Sequence, residues 1–178
     1  MDKDAVHDEM DRARLTFHQL LDDAAGPDLR RRSAGTRWSN RQLLFHMLLG
    51  YLIIRALATL VRLFGRLPAG ASRAYARLLN SVTVPFDAVN FAGSWLAGTV
   101  LSRRLMHVLC DRTIAALHRR LDRETDTDLG RGMHYPVRWD PFFRDFMTLA
   151  DVYRFPTQHF DFHCRQLTLT PPESRTEC

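Results

Sequence analysis

"LLFHMLLGYLIIRALATLVRLF", residues 43–64, is the stretch on which the fold turns. It is apolar on most of its circumference, and two architectures use such a segment: a membrane span and the inner helix of a bundle. His46, Arg55 and Arg62 interrupt it, and no uninterrupted apolar run approaches the roughly 18 residues needed to span a bilayer. A buried bundle helix fits better, and no membrane partner is expected. "SNRQ" marks its start: Ser39 caps the helix and Gln42 completes a capping box. "GRLPAG" ends it after Phe64. Leu43, Met47, Gly50 and Ile54 share the side of this helix that carries His46.

The segments on either side repeat the helical pattern. Upstream, Val6, Met10, Ala13, Phe17, Leu20 and Ala24 follow the spacing of one apolar stripe over residues 3–24, and Gly26 and Pro27 stop it. Downstream, residues 71–80 predict a short extra helix that Pro85 breaks. A third long helix is predicted over 94–123, with Trp95, Val100, Leu105, Val108, Leu109, Ile114 and Leu117 inside and its arginines outside. "ETDTDLGRGMHYPVRW" reads as a polar connection. The fourth long helix is predicted to open at Asp140 as N-cap, with Pro141 as its first residue. Pro156 is expected to kink or break it. Strand signals are weak. Four long amphipathic helices in one domain of 178 residues imply an all-α, antiparallel four-helix bundle spanning residues 1–169. Residues 170–178 read as a disordered polar tail.

Composition narrows the class. Hydrophobic residues make up 46% and charged residues 25%, as in ordinary globular domains. The net charge of +5 is modest, and Lys3 is the sole lysine among the 25 basic residues. Solvated helix faces account for the arginine runs, so no nucleic-acid partner is expected. Cys110, Cys164 and Cys178 are too widely spaced for a disulfide framework or a CxxC zinc site. A reduced, cytoplasmic compartment follows. No signal peptide is visible at the acidic, polar start.

The chemistry-bearing motif is "PTQHFDFH", residues 156–163, which puts His159 and His163 one helical turn apart on one face. One HxxxH among eight histidines is weak by itself. Two features strengthen it. Phe155, Phe160, Phe162 and Leu167 surround the pair, and a buried imidazole needs a partner. His46 stands in the most apolar helix, where an unsatisfied histidine is costly. Ligands in bundles commonly project from facing helices into the core. The motif is not HExxH, since Phe160 follows His159, so that motif's glutamate base is missing. Asp161 points to a different face. Three neutral histidines leave metal positions open for water or substrate. His107 with Asp111, and His118 beyond, read as surface or satisfied residues.

"GTRWSNRQLLFHM" in one helix, followed far downstream by "PTQHFDFH", resembles the DinB-like superfamily. This group of four-helix-bundle metalloproteins includes thiol-dependent transferases and mycothiol-dependent maleylpyruvate isomerases. The resemblance covers most of the chain. It implies a metal triad at His46, His159 and His163, a divalent ion (zinc or nickel), a low-molecular-weight thiol cosubstrate, and a small-molecule substrate. A homodimer is a candidate assembly. Arg37, Trp38, Tyr51 and Asn90 are candidate pocket groups, and residues 66–98 are expected to shape the pocket. Two functions remain open at this point: a metal-dependent S-transferase or isomerase, and a non-catalytic metal-binding stress-response protein.

Overall fold

The computed structural model describes residues 1–170. Helices account for 72% of them. Four long helices close a ring: α1 (Lys3–Asp23), α3 (Asn40–Phe64), α6 (Arg103–Asp122) and α8 (Leu149–Cys164). α1 packs on α6 and α8, and α3 packs on the same two from the opposite side. The elements between them are α2 (Gly26–Arg30), α4 (Ala69–Ser81), α5 (Thr83–Val100), α7 (Asp126–Gly130), and the strands β1 (Gly132–His134) and β2 (Phe146–Thr148).

The helix starts are written in the sequence. Asp2 accepts from the Ala5 N–H, Ser39 and Gln42 form the expected capping box, and Thr148 with Asp151 form another. The core stripe of α1 is Val6, Met10, Ala13, Phe17 and Leu21, all essentially inaccessible. α3 is long and apolar enough, by length and composition, to cross a membrane, yet 56% of its most apolar window is buried inside the bundle. Leu43, Met47, Ile54, Ala58 and Val61 lie in the core.

Five expectations need correction. The helix predicted over 94–123 is two helices, because Leu101 and Ser102 are extended and the Ser102 hydroxyl accepts from Leu105 N to start α6. Pro85 does not stop a helix; it lies in the first turn of α5, where its missing N–H has no intrahelical role. The last helix opens at Leu149, not Asp140. Asp140 instead accepts from the Phe142 N–H in a turn, and the supposed polar connection contributes β1, which pairs antiparallel with β2. α8 then runs unbroken through Pro156, held along its length by packing on α3.

The largest surprise is the orientation of α5. Its buried residues are Ser94 and Gly98, while Trp95, Leu96 and Val100 face out. Leu105 of α6 is also exposed. A Cβ on Gly98 would lie 2.6 Å from Gln42 Cα, so only glycine permits this approach of α5 to α3. The small residues therefore set which face of α5 turns inward, against its apolar pattern. At the other end of the chain, Thr170 donates to Asp28, and Thr168 donates its N–H to the Asn40 side chain. Residues 171–178, which hold most of the expected disordered tail and Cys178, lie outside the described residues.

Candidate metal centre

The bundle brings His46 of α3 together with His159 and His163 of α8. All three are buried, and one nitrogen from each lies within 4.8 Å of the others. His159 Nε2 is 3.2 Å from His46 Nε2 and 3.2 Å from His163 Nε2. For His163 the outer ring nitrogen fixes the tautomer. His163 Nδ1 is 2.6 Å from Gln166 Oε1, an acceptor, so Nδ1 carries the proton and Nε2 presents a lone pair. His46 Nδ1 is 3.1 Å from Ser94 Oγ. His159 Nδ1 is buried without a hydrogen-bond partner and lies against Gly50, where a Cβ would sit 3.0 Å away.

The electrostatics agree with this geometry. Burial, followed by the neighbouring His163, pushes His46 down to about 3. Burial first, then His46 and His163, holds His159 well below the ordinary histidine range. Burial also lowers His163, against the opposing pull of Gln166. Three neutral imidazoles whose lone pairs converge repel one another unless a cation lies between them. That donor set fits a divalent ion.

An apolar cavity of about 480 Å³ opens over the triad. Trp38 stacks on His46 with ring centroids 4.4 Å apart, and Asn90 lines the cavity. α5 forms one wall, which is how the 66–98 stretch shapes the pocket. Two of the candidate pocket groups are placed elsewhere. Arg37 turns away, its guanidinium 4.4 Å from the Phe91 ring centre in an adjoining groove. Tyr51 is buried on the far side of α3, its hydroxyl bonded to Thr157 at 2.9 Å. The phenol fits the space between α3 and α8 but does not reach the cavity.

Asp140 was legible only as a helix cap. The turn that replaces that helix start brings Asp140 Oδ2 to 3.7 Å from His159 Nε2, on the cavity wall. Burial raises its carboxyl to about 6. Ser94 and Gly50 also needed the tertiary structure to be found. Gln166 had a local signal, since it follows His163 by three residues.

Several of the other histidines have carboxylate partners. His18 pairs with Asp111 at 2.8 Å, His107 with Asp22 at 3.0 Å, and the two rings stack. His7 pairs with Asp122 at 2.9 Å. Asp161 points away from the triad to a two-pronged pair with Arg12. Burial pushes the thiols of Cys110 and Cys164 up to about 12 and about 11, so neither is poised as a nucleophile.

A helical bundle with a buried three-histidine cluster between two of its long helices is the class of protein that fold and site define. The family model of the DinB superfamily matches residues 9–167, and the chain belongs to that superfamily. No curated protein and no solved structure matches it.

Proposed function

We propose that this protein is a metal-dependent transferase or isomerase that joins a low-molecular-weight thiol to a small electrophile, or uses it to rearrange one. One observation carries the reading: three neutral imidazoles converge at the base of an apolar cavity large enough for a small ligand. A divalent ion held there by His46, His159 and His163, zinc or nickel by kinship, would supply the positive charge that lowers a thiol's pKa.

The chain's own groups support the same chemistry. Gln166 and Ser94 hold the His163 and His46 rings by their outer nitrogens. Trp38 covers one face of His46 and keeps water from it. Among the described residues, Asp140 is the one carboxylate on the cavity wall; it stands beside His159, placed to accept a proton from an incoming thiol. It occupies the role that the missing HExxH glutamate leaves open.

A second reading is a non-catalytic metal-binding stress-response protein. The position of the triad across α3 and α8 favours it, because an ion there would cross-link the bundle. Titration of cobalt-substituted protein with small thiols separates the two. The transferase reading expects a sulfur-to-metal charge-transfer band that disappears in His159→Ala. No band in the wild-type protein, together with no turnover of thiol and electrophile pairs, leaves the stabilising role standing.

A further inference from the structure

The cavity has a chemical bias that the three histidines do not set. Phe86 and Trp139 stack face to face in its wall with ring centroids 3.8 Å apart, and Phe142 meets Phe162 edge-on at 5.7 Å. Among the described residues, no arginine or lysine lines it. Arg37 belongs to the adjoining groove of about 330 Å³, which shares only Trp38 and Asn90 with the cavity. Among the described residues, Asp140 is the single charged group on the wall.

An anionic ligand entering this space would give up its water and find no side-chain cation to replace it. It would also meet the Asp140 carboxylate. An uncharged aromatic or aliphatic body loses nothing and gains contact with the rings. The Asn90 amide remains as a neutral polar group on the wall.

We propose that the cavity selects an uncharged, mainly aromatic or aliphatic molecule and rejects counterparts carrying a sulfonate, carboxylate or phosphate. That this molecule is the electrophile rests on the transferase reading above; the exclusion of anions rests on the walls alone. Any charged part of the thiol would then lie outside the cavity.

A matched pair of dyes tests this. N-phenylnaphthylamine is neutral, and anilinonaphthalenesulfonate is its sulfonated counterpart. Fluorescence titration, on the protein as purified and after chelation, is expected to show the neutral dye binding about tenfold tighter or more. Val89 lines the cavity yet is 71% exposed, so Val89→Arg adds a cation at the mouth without disturbing the core. That variant is expected to strengthen binding of the sulfonated dye and remove most of the preference. Asp140→Asn should shift the ratio the same way in chelated protein.

Trp95 lies on the outward face of α5, half-exposed and away from the cavity. Trp95→Ser is expected to leave both affinities unchanged. Equal affinity for the two dyes, no binding of either, or loss of the neutral dye in Trp95→Ser would each overturn the proposal. A thiol-induced cobalt band with equal dye affinities would sink only the selectivity. A clear dye preference with no band would sink only the thiol chemistry.

Discussion

Gly50 is a helix-interior glycine whose cost is local and whose use is tertiary. Glycine costs about 1 kcal/mol relative to alanine within a helix. Here it lets His159 lie against α3, since a Cβ would come within 3.0 Å of its Nδ1. His46 and His163 pack on the other sides of that ring, so it has little room to give. Gly50→Ala is therefore expected to leave unfolding stability nearly unchanged while weakening zinc binding by about tenfold. Competition with a chromogenic chelator measures the second effect, and unchanged affinity would remove Gly50 from the site. The histidines themselves predict a pH dependence. In the unfolded chain they take up protons below about 6.5, whereas the folded triad stays neutral, His46 down to about 3. The unfolded state then binds more protons, so metal-free protein should lose stability progressively as pH falls from about 6.5 toward about 3. Asp140 works the other way between about 6 and 3.8, because its folded carboxyl is raised, but it is one group against three. Urea unfolding of chelated protein at stepped pH checks the slope; a midpoint that rises on acidification would contradict the burial of neutral imidazoles.

Among the elements, α5 and the end of α6 show how contacts override pattern. α5 turns its apolar residues outward: Ser94 is buried on the inner face, and Gly98 permits the close approach to α3. Beyond α6, Glu124 is buried and bonds three elements at once. Its carboxylate pairs with Arg62 of α3 and accepts from the Tyr153 hydroxyl of α8 at 2.9 Å, while its backbone carbonyl accepts from Lys3 of α1 at 2.7 Å. Removing the Glu124 carboxylate leaves the partly exposed Arg62 without its partner and the buried Tyr153 hydroxyl without its acceptor. Glu124→Ala is expected to destabilise by about 3 kcal/mol. The Arg12–Asp161 pair joins α1 and α8 as well, but both side chains are exposed. Asp161→Asn should cost no more than about 1 kcal/mol. Denaturant midpoints of the two variants give the comparison, and equal losses would refute the distinction by burial.

For the whole molecule, the triad couples the two helices that pack most extensively in the bundle, α3 and α8. An ion that binds the folded state alone adds stability in proportion to the logarithm of its concentration, about 2.7 kcal/mol at a hundredfold excess over Kd. Adding zinc to chelated protein should raise the Tm of the wild type. His46→Ala, His159→Ala and His163→Ala should each abolish that rise, whereas His107→Ala and His118→Ala should retain it. A rise that survives in all three triad variants would place the ion elsewhere. Circular dichroism should be dominated by helix, since β1 and β2 contribute only three residues each.

The amino-acid sequence by itself determined the helical bundle and the HxxxH pair on one helix face, while the third histidine, His46, was joined to that pair by the resemblance to the DinB-like superfamily. Hydrophobic periodicity, capping residues such as Ser39 and Gln42, and the HxxxH spacing are local properties, readable from neighbours along the chain. Its errors fell where local signals compete. Asp140–Pro141 has the form of a helix start, but Thr148 and Asp151 make a complete capping box and win. The apolar side chains of α5 imply burial, but glycine and serine allow a closer backbone contact on the opposite face. Only the tertiary structure decided what surrounds the triad: Ser94 behind His46, Gly50 under His159, Asp140 beside it, and Arg37 turned outside the cavity. These groups lie on different elements from the histidines they serve. Their distances follow from how helices pack, and no spacing along one chain encodes that.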